Sequence, residues 1–199
     1  MGSISYLKDP GRTTDQELRA YLAENLHTGH RVVAQATRPA LDYEFSRELF
    51  AAVEDGDGNV TCHVLLGGSQ HGEMYIKALH EDMGPCVNPD APARVLAALT
   101  PTDCKYALEF RAAAADALER KKVAKAMVGL HLRFDVPFPY PGEDAERTDF
   151  RVESMSRFTR PDGTGLYRAP KGWWMRTFHV VSDVEAETTV DGAHVLGPR

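Results

Sequence analysis

Apolar positions recur at two periods along this chain, and the switches between them mark its elements. Leu18, Tyr21, Leu22 and Leu26 fall three and four residues apart, the stripe of an amphipathic helix. The spacing predicts a helix over 15–26, opened by a capping box of Thr14 with Glu17 and stopped at Gly29. From His30 the period drops to two. Strands are expected over 30–37, 47–54, 60–66 and 73–79, while 41–45 fits either period. Asp55-Gly56-Asp57-Gly58-Asn59 carries the Asp-Gly signal of a tight hairpin. In the strand that follows, Val60, Cys62, Val64 and Leu66 alternate with Thr61, His63 and Leu65, so Cys62 turns inward and His63 the other way. These strands, consecutive in the chain, predict an antiparallel meander. Residues 1–12, with Pro10 and Gly11, read as a lead-in.

Residues 75–92 (Y-I-K-A-L-H-E-D-M-G-P-C-V-N-P-D-A-P) break the pattern with turns at Gly84-Pro85 and Pro89. A short helix is expected over 92–99, then a long one from about 103 to 128, rich in good helix formers. Its stripe runs through Tyr106, Phe110, Ala113, Ala117, Ala124 and Met127. Arg120, Lys121, Lys122 and Lys125 gather toward its end, where the helix dipole favours cations. After Gly129, strands are expected over 131–136, 150–158, 166–169 and 173–181, divided by Gly and Pro, as in a small antiparallel barrel. The fold class is α+β: an antiparallel meander with an N-terminal helix and one long helix over 1–128, a small β-barrel-like unit over 129–184, and a tail over 185–199.

Composition adds limits. With 43% hydrophobic and 26% charged residues, the 199-residue chain can fill a core. A net charge of -6 disfavours nucleic acid and anionic membranes as default partners. Three cysteines without paired spacing fit reduced thiols better than a disulfide framework. The first ten residues lack the basic-then-apolar pattern of a signal peptide, and no apolar run approaches the ~18 residues of a membrane span. The expectation is a cytoplasmic protein with no membrane partner.

Several residues invite chemistry. Cys62, His63, His71, His80, Cys86 and Cys104 could ligate a metal, but their spacing matches no known ligand pair, so no metal and no cofactor is assigned. Cys86 follows Gly84-Pro85 with His80 and Glu81 nearby, and these three are the catalytic candidates for a small hydrolase or transferase; the plain alternative for Cys86 is a small residue in a proline-bounded turn. Asp55 to Asn59 imitates half a calcium loop, but Val60 stands where its glycine belongs and Leu66 where its glutamate does. Trp173, Trp174 and Arg176, with Arg168, Lys171 and the basic end of the long helix, could present stacking rings and cations to single-stranded nucleic acid. The alternative is core packing for the tryptophans. Tyr75, Lys77 and Glu81 are binding candidates; Glu81 equally suits a carboxylate that holds an irregular loop.

The run Lys77-x-x-x-Glu81-x-Met83-Gly84-Pro85, followed by Pro92 and a short helix, then Ala107-Leu108-Glu109-Phe110-Arg111, resembles an uncharacterised domain family of phages and other mobile elements. The likeness covers residues 30–115. Phe110 stands where the family has Trp, and Ile76, Ala78 and His80 replace the aromatic and acidic residues around its lysine. The resemblance implies a mobile-element accessory protein acting on a host factor. Together these observations favour a non-enzymatic protein that binds a host protein or small ligand through residues 75–92, with the cysteine- or histidine-dependent enzyme and the single-strand binder as alternatives.

Overall fold

The structure, a computed structural model, describes residues 3–41, 44–140, 147–181 and 190–191, with the side chains of 3, 85, 86, 190 and 191 outside that description. The fold is α+β. The chain divides into two compact units, Met1–Leu118 and Glu119–Arg199.

The first unit is built on a five-stranded antiparallel sheet in the order β1-β5-β4-β3-β2: β1 Ser3–Leu7, β2 Arg31–Pro39, β3 Arg47–Glu54, β4 Val60–Gln70 and β5 Glu73–His80. Strands β2 to β5 are the expected meander. Residues 3–7, read as part of a lead-in, instead add β1 along β5. The β3–β4 hairpin closes on Asp55, whose Oδ1 accepts from the N–H groups of Asp57 and Asn59, both at 2.9 Å.

Both faces of this sheet are covered, so β4 is buried on consecutive residues from Val64 to Gly68. On one face Leu18 and Leu22 of α1 (Thr14–Asn25) pack on Leu49, Ala51, Val53, Leu65, Met74 and Ile76. Gly67 permits this approach: a Cβ there would lie 2.8 Å from Leu18 Cδ2 and 2.9 Å from Met74 Cε. On the other face Phe50, Ala52, Cys62, Val64 and Leu79 pack under Val95 of α2 (Ala93–Leu96) and Phe110 and Ala114 of α3 (Lys105–Ala126).

The cap of α1 differs by one residue from the expected box. Thr13 caps it, reciprocated by Gln16. Glu17 is buried and committed elsewhere, accepting from Tyr6 Oη at 3.1 Å and Asp9 N at 3.0 Å, which joins β1 to the helix. Asp15, in the first turn, takes a bidentate bond from Arg47 (2.5 and 2.7 Å) and one from Thr37 (2.8 Å); Arg47 chiefly holds its carboxyl below the ordinary range.

The second unit carries a six-stranded antiparallel sheet in the order β11-β10-β6-β7-β8-β9: β6 His131–Phe138, β7 Arg147–Ser154, β8 Arg157–Thr159, β9 Tyr167–Arg168, β10 Phe178–Val181 and β11 Val190–Asp191. The sheet is open, with β9 and β11 as its edges, where a barrel-like unit was expected. The strand expected over 150–158 is split into the β7–β8 hairpin, and the expected tail over 185–199 lies outside the described residues except for β11. One face of the sheet is an aromatic core: Phe134 meets Phe138, Phe158 and Phe178 at centroid distances of 4.8, 5.9 and 5.6 Å, and Ala124 and Met127 close over it.

Candidate functional site

At the end of β5 the chain leaves the sheet through a 3-10 turn, Glu81–Cys86, kinked at Gly84 (φ 57, ψ -124). That dihedral pair suits glycine alone, and the space agrees, since a Cβ would sit 3.1 Å from the Tyr106 ring. Two buried ionic anchors fix the segment that follows.

The first is Glu81 with Arg111. Glu81 is 1% exposed and receives two parallel bonds, from Arg111 Nε (2.8 Å) and Nη2 (2.7 Å), while Arg111 Nη1 donates to the Thr100 carbonyl at 2.5 Å. The fork matches the carboxylate, the geometry in which a desolvated ion pair is retained. Its hydrogen bonds to Glu81 raise the Arg111 pKa further. Cys62 lies in the same buried field. Burial and then the Glu81 charge push its thiol up to about 12, so it packs as a small apolar residue.

The second anchor is Glu48 on β3, also buried. It accepts from Arg38 Nε and Nη2 (3.1 and 3.0 Å), from Asn88 Nδ2 (2.9 and 3.1 Å) and from Leu41 N (3.2 Å), and Arg38 also pairs with the buried Asp90. The Arg38 guanidinium lies over the Phe50 ring, 4.6 Å from its centroid. Residues 81 and 88–90 are therefore pinned to the sheet and to α3 at both ends of the turn.

Between the anchors lies a cleft of about 350 Å³, lined by Gly84, Val87, Pro89, Glu109, Phe110 and Ala113. Val87 and Phe110 form its apolar floor, and Glu109, paired loosely with Lys105 at 3.8 Å, is the one ionisable lining residue among the described residues. Such a surface binds by shape and burial.

The proposed site residues are distributed differently from their spacing in the chain. Lys77, Glu81 and His80 do not line the cleft. Lys77 is half-buried in mid-strand opposite Leu66, its side chain making no hydrogen bond or ion pair among the described residues. Tyr75 is exposed and donates to Glu73 Oε2 at 2.8 Å. His80 faces His63 across the sheet, on the opposite side from Leu79. Glu81, bound by Arg111, is not free to serve as a base. The Cys86 side chain lies outside the described residues. Trp173 and Trp174 are not a stacking platform: Gly172, at φ 69, turns the chain so that they form a 3-10 turn, Trp173–Met175, in place of the expected strand, and both are buried in the second unit's core. Arg176 lies over Phe138, 4.4 Å from the ring centroid.

Arg38, Glu48, Asn88 and Asp90 belong to no sequence motif, and the contacts from Arg38 to Glu48 and Asp90 and from Asn88 to Glu48 span ten to fifty-two positions of the chain. Arg111 was visible only as the last residue of Ala107-x-x-Phe110-Arg111, yet it joins the two motifs physically. Among the described residues no group of three His, Cys, Asp or Glu side chains is placed to hold a metal ion, and no helix is long and apolar enough to cross a membrane. Compared with protein-family models, with curated proteins and with solved structures, the chain matches none.

Proposed function

We propose that this chain is a non-enzymatic accessory protein of a phage or mobile element, which binds an apolar group of a host protein or small ligand in the cleft between residues 84–89 and α3. The observation that carries the reading is the cleft itself: an apolar pocket whose turn wall is pinned by Glu81–Arg111 on one side and by the Glu48 network on the other. Order supplied in advance lowers the entropy that binding must overcome. The mobile-element origin rests on the resemblance of residues 77–85 and 107–111 alone. Among the described residues the lining offers one carboxylate, Glu109, beside apolar groups, which favours an apolar ligand.

Ala113→Phe fills the cleft from its exposed helix side. A screen of small apolar fragments against the labelled protein is expected to shift the amide signals of Gly84, Val87 and Phe110 in the wild type, and to leave them unmoved in Ala113→Phe with the rest of the spectrum intact. Fragments that bind both proteins equally, or that shift other residues, would remove the cleft from consideration.

A further inference from the structure

The cleft is apolar, but the unit that holds it is not neutral. Residues 1–118 carry 17 Asp and Glu against 10 Lys and Arg, while residues 119–199 are nearly balanced at 12 against 13. The net charge of -6 therefore belongs to the first unit, where the cleft lies. The elements that wall the cleft repeat the imbalance: residues 81–90 and 105–118 hold five acidic side chains and two basic ones. Glu81 is bound by Arg111, and Asp90 by Arg38 from β2. Of the other three, Asp82 is exposed at the head of the turn and Glu109 lines the cleft. Asp116 lies seven positions beyond Glu109 on the same face of α3, past Ala113.

Lys105 is the cation paired with Glu109, at 3.8 Å, with 79% and 49% of the two side chains exposed. Lysine four positions before glutamate is the weaker order for such a pair, and exposed pairs of this kind contribute little. An ammonium or guanidinium brought to Glu109 by an apolar group already in the cleft can therefore replace Lys105 at small cost. A carboxylate brought there meets Glu109 and the acidic surround at close range, and is rejected. The cleft, at about 350 Å³, stands at the lower end of small-molecule pockets. The acidic excess extends well beyond its rim, so a chain that continues outside the cleft uses more of the attraction than a small molecule can.

We propose that the occupant of the cleft is a basic segment of a protein, whose apolar side chain packs on Val87 and Phe110 and whose neighbouring lysine or arginine pairs with Glu109. This rests on the reading of the cleft as the binding site and adds to it the charge of the partner. Burial of the apolar anchor holds the segment. The carboxylate and the acidic unit around it orient the segment, speed its encounter and reject acidic competitors. That attraction weakens with salt, whereas burial of the anchor does not.

The test uses the full labelled chain and three capped pentapeptides that present one leucine between two lysines, two glutamines or two glutamates, with hexylammonium as the small-molecule control. Each is titrated near neutral pH at about 50 and about 200 mM salt while the amides of Gly84, Val87 and Phe110 are followed by NMR. The lysine peptide is expected to bind at these amides at least about threefold more tightly than the glutamine peptide. The glutamate peptide should bind most weakly, and the spread should narrow at the higher salt. Glu109→Gln should bring the lysine peptide to within about twofold of the glutamine peptide, and Lys105→Gln should strengthen the lysine peptide. Equal affinity of the lysine and glutamine peptides, or a lysine preference that survives Glu109→Gln, would overturn the charge assignment while leaving an apolar cleft that binds. Hexylammonium binding as tightly as the lysine peptide would overturn the protein segment in favour of a small amphipathic cation. No shift at these amides with any peptide or apolar fragment would remove the cleft and the assignment together.

Discussion

Lys77 and Glu81, four positions apart, differ in what their removal leaves behind. Glu81 is enclosed and forked by Arg111, so its loss strands a guanidinium out of water. Lys77 is half-buried and pairs with nothing described, so its loss strands nothing. Glu81→Gln is expected to lower unfolding free energy by about 3–5 kcal/mol, and Lys77→Ala by about 0.5 kcal/mol or less, both read from urea midpoints at constant m-value. A mild Glu81→Gln would mean that the pair is wetter than its burial indicates. Cys62 makes a second residue-scale case. With its thiol pushed up to about 12 in a buried field, it stays protonated at pH 8. Iodoacetamide followed by peptide mass mapping should leave Cys62 unmodified in the native protein and label it fully in 6 M guanidinium. The partly exposed Cys104 is the internal control and should be labelled in both.

The turn Glu81–Cys86 owes its shape to Gly84 more than to any charge. Alanine at φ 57, ψ -124 occupies a region side chains avoid, at roughly 1–3 kcal/mol, and its Cβ would press on Tyr106. Gly84→Ala should therefore lose about 2 kcal/mol by urea unfolding and shift the amide signals of Val87 and Phe110, which share the cleft. The same scale explains what the chain disclosed in advance. Elements fixed by their own periodicity were legible: the β2–β5 meander, its Asp55 hairpin, the body of α1 and the long helix. Elements fixed by a distant partner were not. Ser3–Leu7 is a strand because β5 offers it an edge, and nothing in S-I-S-Y-L by itself requires one. Trp173 to Met175 looked like a strand because aromatic residues favour strands; Gly172 at positive φ and the pull of the aromatic core decided otherwise. Whether a sheet closes is set by its edges, so an open sheet and a small barrel share one local pattern. At the site, the turn was visible and its anchors were not, because Glu81 and Arg111 lie thirty residues apart.

Across the whole molecule, several of the described cations and aromatic rings engage one another within the protein. Of the basic residues near the end of α3, Lys121 lies over the Trp174 ring at 5.1 Å and Lys122 pairs with Glu119 at 3.5 Å. Arg176 covers Phe138, Arg38 covers Phe50, and both tryptophans are buried. A single-strand binder needs the reverse: rings presented to solvent beside cations that track a backbone. The outer face of the second sheet, where His131, Arg133 and Arg151 alternate with the core residues, pairs Arg133 and His131 with Asp149 at 2.9 and 3.1 Å. With a net charge of -6, little attraction for phosphate remains. Filter binding of labelled single-stranded DNA and RNA at 50 and 200 mM salt should show no salt-dependent retention, with affinity weaker than the ~10⁻⁴ M limit of ordinary non-specific binders. Retention that falls with salt along a straight log–log line would measure released counterions and hence a real phosphate track. In that case Arg133→Ala with Arg151→Ala should reduce the slope if the track is the second sheet, and Lys122→Ala with Lys125→Ala if it is the end of α3. A flat response leaves the apolar cleft as the surface to which partner chemistry must be matched.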